Sequence, residues 1–188
     1  HGEVLFDCIA NPSAAGWGLQ ELVEKKAWRP YPGGAPANVA CALSKLGVKV
    51  GFVGAVGEDN DGEELARLME GCGVNTDLVQ RVSGVATRTV MVTRTRQGER
   101  SFAGFGGGVL SDCFADCCHS VATFRSDVRS RLKPGTWLVQ GTLGLAYEGS
   151  YDSHVLMAEW QDKGACRFLD INWRPVFWDC LPGEQVTG

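Results

Sequence analysis

Apolar positions along the chain fall into short continuous runs that alternate with longer amphipathic stretches. Val4 to Ile9 reads as a buried strand interrupted by Asp7, and Val48 to Val56 is a continuous apolar run of the kind seen in strands covered on both faces. Asp61 to Gly71 follows as a helix with Leu65, Leu68 and Met69 on one side. Thr87 to Thr95 alternates with period two, Gln97-Gly98 supplies a turn, and Arg100 to Phe105 continues the alternation, which predicts a hairpin with one apolar and one polar face. A helix near Val121 to Leu132, a strand at Thr136 to Gln140, a helix over Tyr147 to Lys163 and a strand at Cys166 to Asp170 complete the pattern. Trp17 to Pro32 is aromatic and mixed in charge, and it reads as an irregular or edge-strand stretch outside the core. Strand followed by helix, repeated, predicts an α/β sandwich.

One segment combines turn, helix and polar chemistry. Gly33-Gly34 permits positive φ and close backbone approach, and Pro36 suits a first helical turn. Val39, Ala40, Ala42, Leu43 and Leu46 give a small apolar interior, and Gly47 sits where a left-handed cap belongs, so a buried helix is expected. Asn38 is then an amide in the first turn of that helix. It either faces a small polar ligand at the helix N-terminus or serves as a cap. Asp7 poses a similar choice, because a carboxylate in a buried strand is costly unless it is bonded to neighbouring backbone or faces a ligand. Asp170, Asn172 and Arg174 end the last predicted strand, where open α/β sheets place ligands; Asp170 and Arg174 could instead form a structural ion pair.

Other chemistries fit less well. Cys113, Cys117, Cys118 and His119 have no second C-x-x-C partner, so packing is preferred to zinc. Glu58, Asp59, Asp61, Glu63 and Glu64 lack the late bidentate glutamate of a calcium loop and suit a helix N-terminus. Gly51, Gly54 and Gly57 imitate a dinucleotide fingerprint, but these acids would repel a pyrophosphate.

The 188 residues suffice for one domain, and a net charge of −4 offers no basic field for nucleic acid or anionic lipid. No apolar run approaches the ~20 residues of a membrane span, and the eight cysteines are scattered, which favours reduced thiols and an intracellular location, cytoplasmic or organellar. Both ends lack a lead-in or completion, so a fragment of a longer protein is expected.

The run Gly33 to Gly47, GGAPANVACALSKLG, resembles the first signature of the PfkB family of carbohydrate kinases, the group that includes ribokinase and fructokinase. Further matches follow in order: Gly54 to Gly62 resembles the family's G-x-x-G-x-D-x-x-G run, then come Gly73-Val74-Asn75-Thr76 and Gly98-Glu99-Arg100-Ser101-Phe102. Gly2-Glu3-Val4-Leu5-Phe6-Asp7 matches a G-E-x-x-x-D first strand, and Asp170 to Arg174 resembles the D-x-N-x-R motif of fructokinase-like members, with Ile171 where a proline is common.

The resemblance implies a ribokinase-like three-layer α/β/α sandwich, truncated at its C-terminus. Residues 1–188 would be the N-terminal part of one kinase domain, with strands of a small β lid within about 17–32 and 87–105. It further implies transfer of the ATP γ-phosphate, with Mg²⁺, to a hydroxyl of a monosaccharide, most readily fructose. Asp7, Gly33, Gly34 and Asn38 would bind the sugar, Asp170, Asn172 and Arg174 would lie near phosphate and Mg²⁺, and two lids could pair in a homodimer. Gly104 to Gly108 departs from the more polar sequence usual after this hairpin, so no sugar contact is assigned there. The family's catalytic aspartate belongs to a D-T-x-G-A-G-D run that does not occur before Gly188, so the chain alone is expected to be inactive. A non-catalytic PfkB-like regulatory or assembly protein and a nucleoside kinase of the same fold are the rival readings.

Overall fold

The start of the chain is shared by two sheets. Residues 1–106, 114–118, 121–159 and 164–173 are described by a computed structural model. In order they form β1 (Leu5–Ala10), α1 (Leu19–Glu24), β2 (Trp28–Gly33), α2 (Ala35–Lys45), β3 (Gly51–Gly57), α3 (Asn60–Gly71), β4 (Asn75–Val82), β5 (Thr89–Arg94), β6 (Arg100–Phe105), α4 (Val121–Arg131), β7 (Trp137–Gly141), α5 (Glu148–Glu159) and β8 (Cys166–Asp170). β3 pairs with β4 and β7 with β8, both parallel. Between these pairs runs the chain start: the Gly2 N–H donates to the Val53 carbonyl at 3.1 Å and the His1 nitrogen to the Val139 carbonyl at 2.8 Å. Beyond Leu5 the same chain changes partners, and a four-stranded lid forms in the order β2-β1-β5-β6.

Side-chain alternation divides the core in two. Val4, Phe6, Phe52, Val56 and Val79 face Ala37 and Ala40 of α2 and Leu65 and Met69 of α3. Val53, Leu78 and Leu138 point the other way, toward Val128 of α4 and Met157 of α5. Each such buried side chain contributes about 1.5–3 kcal/mol of transfer free energy. The result is helix, sheet, helix, with the lid projecting from one end.

α2 is covered on one face only. Pro36, Ala37 and Ala40 are buried, whereas Val39 is 38% and Leu46 80% exposed, so the expectation of a buried helix is corrected. Small side chains on the inner face let α2 pack closely on β1 and β3, while Val39 and Leu43 border an open groove with Val48 and Leu132. Its C-terminus is a Schellman motif: Gly47, at φ 86°, donates to Ser44 and Val48 donates to Leu43. Two elements differ from the sequence reading. α1 forms within the stretch read as irregular, held by the fully buried Leu22 and by the Lys25–Glu21 pair at 3.0 Å. β4 escapes the apolar pattern because Asn75, Asp77, Gln80 and Arg81 decorate an edge strand, with only Leu78 and Val79 buried. In the acidic run, Asp59 caps α3, accepting from the Gly62 N–H at 2.8 Å and from the Thr87 N–H and hydroxyl, each at 2.7 Å. In the lid strands Tyr31 and Phe102 are exposed, whereas Val90 is buried.

Arg88 fastens the lid to the sandwich. It is 1% exposed, and its Nε and Nη2 donate to the two Asp116 carboxylate oxygens at 2.6 and 2.9 Å. Its guanidinium lies 4.8 Å from the Phe114 ring centroid and 5.3 Å from those of Phe105 and Tyr147. Burial works against the cation, but the Asp116 carboxylate outweighs it and holds the Arg88 pKa above its ordinary value. Removing one partner strands the other: Arg88→Met should lower unfolding free energy by about 3–5 kcal/mol, read from urea denaturation. A loss under about 1 kcal/mol would show that the pair is not what anchors the lid.

Candidate functional site

Where β1 leaves the central sheet for the lid, a cavity of about 540 Å³ opens. One side is the lid sheet, with Asp7 of β1 beside Val90, Val92 and Phe102 of the hairpin; Glu3, Gly34 and Asn38 line the cavity at the start of α2, and Thr142 and Asn172 just past β7 and β8. That volume suits a small metabolite, and the place, at the C-terminal ends of parallel strands, is where open α/β sheets bind ligands.

The two glycines of the diglycine do different work. A Cβ on Gly33 would stand 2.5 Å from Asp7 Oδ2, so Gly33 clears room for that carboxylate without itself lining the cavity. Gly34 has φ 94°, and a Cβ there would stand 2.5 Å from the Glu3 carbonyl oxygen. The start of α2 can therefore cross β1 at close range only because residue 34 is glycine. Gly34 is also the N-cap, and Asn38, whose N–H donates to the Gly34 carbonyl at 2.9 Å, stands within the helix. The capping alternative for Asn38 is thereby removed. Its side chain is exposed toward the cavity and is not the buried amide that the pattern suggested.

Asp7 is half-buried, its backbone paired with Tyr31 on one side and Val90 on the other. Glu3, two residues before β1, is buried, and its Oε2 has no hydrogen-bond partner among the described residues. Burial first, and then the Asp116 carboxylate, push its pKa up to about 7, against the N–H groups of Glu3 and Ala35 and the charge of Arg88. At the end of β8, Asp170 Oδ1 accepts from the Asn172 N–H at 3.2 Å, and Asn172 takes φ 28°, which turns it into the cavity wall. Asp170 itself does not line the cavity, and Arg174 lies outside the described residues, so the Asp170–Arg174 pair is not addressed.

The site thus brings together Asp7, Gly34, Asn38 and Asn172. The sequence reading missed Glu3, although it lies in the same Gly2-to-Asp7 run, and it missed the hairpin's Arg100, Ser101 and Phe102. The strand alternation placed those hairpin residues on a lid face but carried no sign of which face meets the cavity.

The lining offers carboxylate and amide groups and the exposed start of a helix, with the apolar Val90, Val92 and Phe102 beside them. This suits a small ligand that carries both hydroxyls and C–H groups. Among the described residues no group of three His, Cys, Asp or Glu could hold a metal, and Cys117 instead receives the Arg88 Nη2 at 3.0 Å. Cys113 and His119 lie outside the described residues. No helix among the described residues is long and apolar enough to cross a membrane.

A family model described as pfkB family carbohydrate kinase matches residues 1–181. Probable fructokinase-5 of Arabidopsis thaliana is 30% identical over 178 residues, 94% of this chain and 51% of that protein. Fructokinase-2 of Solanum habrochaites is 39% identical over 178 residues, 94% of this chain and 50% of that protein. The crystal structure of fructokinase with bound ATP from Xylella fastidiosa superposes with a TM-score of 0.78 at 31% identity, covering 98% of this chain and 53% of that one. The fold is ribokinase-like. The chain spans about half the length of the curated relatives it matches.

The two glycines should separate in mutagenesis. Gly34→Ala meets backbone and a strained φ, and should cost about 1–3 kcal/mol in urea denaturation. Gly33→Ala meets chiefly the movable end of Asp7, and should cost less while displacing that carboxylate. Equal losses would contradict the assignment.

Proposed function

This chain belongs to the pfkB family of carbohydrate kinases, and on that premise we propose that the whole protein transfers the γ-phosphate of ATP to a hydroxyl of a monosaccharide, fructose first among them. The present residues supply the sugar-binding part. The observation that carries the reading is the convergence of Asp7 and Asn38, from β1 and α2, on one cavity that Val90, Val92 and Phe102 also line. Fructose is put first because the relatives at 30% and 39% identity are named fructokinases.

Phosphoryl transfer is mostly positioning and charge stabilisation. In this reading Asp7 accepts from sugar hydroxyls, Asn38 donates and accepts across the cavity, and the apolar Val90, Val92 and Phe102 exclude water from the sugar's C–H groups. Each contact narrows the orientation in which the reacting hydroxyl is presented. Asn172 borders the side from which the phosphate would arrive, with Asp170 and Arg174 two residues to either side in sequence. Mg²⁺ would enter with ATP and supply charge neutralisation at the phosphates. The described residues form no metal site of their own, so no step is assigned to it here. The family's D-T-x-G-A-G-D run does not occur in the 188 residues, and the catalytic base is not assigned among them. These residues alone should leave ATP unconsumed.

Steady-state kinetics of the full-length protein test the site. Asn38→Ala removes a hydrogen bond worth about 0.5–1.5 kcal/mol and should raise the sugar KM roughly 2- to 12-fold, with the KM for ATP nearly unchanged. Asp7→Ala loses charge-assisted bonds about twice as strong and should be the worse variant. A sugar KM untouched by both substitutions would remove the sugar from this cavity.

A further inference from the structure

We propose that Glu3 is a second carboxylate of the sugar site, its Oε2 accepting a hydrogen bond from a hydroxyl of the bound monosaccharide. Glu3 and Asp7 together would then select a ligand that presents hydroxyl donors to both. The proposal rests on the sugar-binding reading above and adds a residue to it.

Glu3 is 8% exposed and borders the cavity with Asp7, Gly34 and Asn38. The N–H groups of Glu3 itself and of Ala35, the first residue of α2, lie near its carboxylate and favour its ionised form. Oε2 is left buried with no partner among the described residues. An acceptor in that position is costly, and native sites rarely leave one unsatisfied. Arg88 and the His1 ammonium act on Glu3 through their charge, but none of the hydrogen bonds described for either goes to Oε2. Gly141, which also borders the cavity, keeps one side clear: a Cβ there would stand 3.7 Å from Oε2. On its other side Glu3 meets an inner void of about 10 Å³ beside Asp116, Tyr147 and His154. A water in that void is the competing partner for Oε2.

The two partners differ in their response to pH. Among the described residues, the charged and titratable groups around Glu3 are Arg88 on the run into β5, Asp116 on the turn, Tyr147 and His154 at α5, the His1 ammonium at the chain start and Asp7 of β1. Burial and then Asp116 raise the free carboxyl to about 7. A sugar hydroxyl donating to Oε2 favours the ionised form and lowers that pKa in the complex. By linkage, the ligand then binds the ionised form more tightly, so affinity rises as pH rises through about 7 and falls toward acid. A water in the inner void is present with and without sugar and produces no such dependence.

The test is calorimetric titration of fructose into full-length protein from about pH 5.5 to about pH 8.5, a window centred on neutrality. The expected result is tighter binding at higher pH, with proton release on binding near neutrality measured in two buffers of different ionisation heat. This needs no variant, so it stands even if substitutions at Glu3 fold poorly. Glu3→Gln keeps an acceptor for the Ala35 N–H but has no charge. It should bind fructose about tenfold more weakly at the alkaline end, with little pH dependence. A flat wild-type profile without proton release, or Glu3→Gln binding as tightly as wild type at high pH, overturns the role of Glu3 and leaves the sugar site standing. Failure of the wild type to bind fructose or any other monosaccharide removes the sugar reading, and the role of Glu3 with it.

Discussion

The change of partners along one strand is the constraint on which the rest of this structure depends. The chain start is wedged between β3 and β7 through the Gly2 and His1 nitrogens, and from Leu5 onward it bonds to β2 and β5. A strand that leaves one sheet for another opens a gap where the two diverge, and here the gap is the cavity. It is lined by the residues at the transition, Glu3 and Asp7. α2 can close the gap from one side because Gly34 allows its first turn to lie against the Glu3 carbonyl.

Such a junction needs a second fastening, or the lid would be free to swing. Arg88, just before β5, provides it, joining Asp116 through two hydrogen bonds and packing against Phe105, Phe114 and Tyr147. A buried ion pair gives little net stability over a hydrophobic replacement, but it is geometrically exacting. Its presence therefore suits positioning more than stability, since the bidentate contact sets where the lid sheet, with Asp7 in it, stands relative to Asn38. The same pair engages a cation near Glu3, so the way the lid is held also bears on the charge around that inner carboxyl.

Much of this was legible in the residues. β8 runs Cys166 to Asp170 as the apolar pattern predicted, and Gly47 ends α2 with the left-handed backbone assigned to it. These succeed because a strand run or a helix cap is decided within a few neighbouring residues. β4 and α1 failed for the opposite reason: an edge strand carries polar residues on the side that meets water, and a two-turn helix needs only one buried residue, Leu22. In the site, the diglycine and Asn38 announced themselves through local chemistry, although Asn38 proved exposed and Gly33 acts through Asp7. Glu3, Arg88 and Phe102 depend on contacts between segments far apart in sequence. Periodicity along one strand does not carry that information.

The central claim is that a monosaccharide lies in the gap at the β1 transition, and the most direct measurement is a crystal structure of the full-length protein with fructose bound. The account predicts sugar hydroxyls within hydrogen-bond distance of the Asp7 carboxylate and the Asn38 amide, with C–H groups of the sugar against Val90, Val92 and Phe102. Fructose bound elsewhere, or this cavity filled by the protein's own chain, would contradict it.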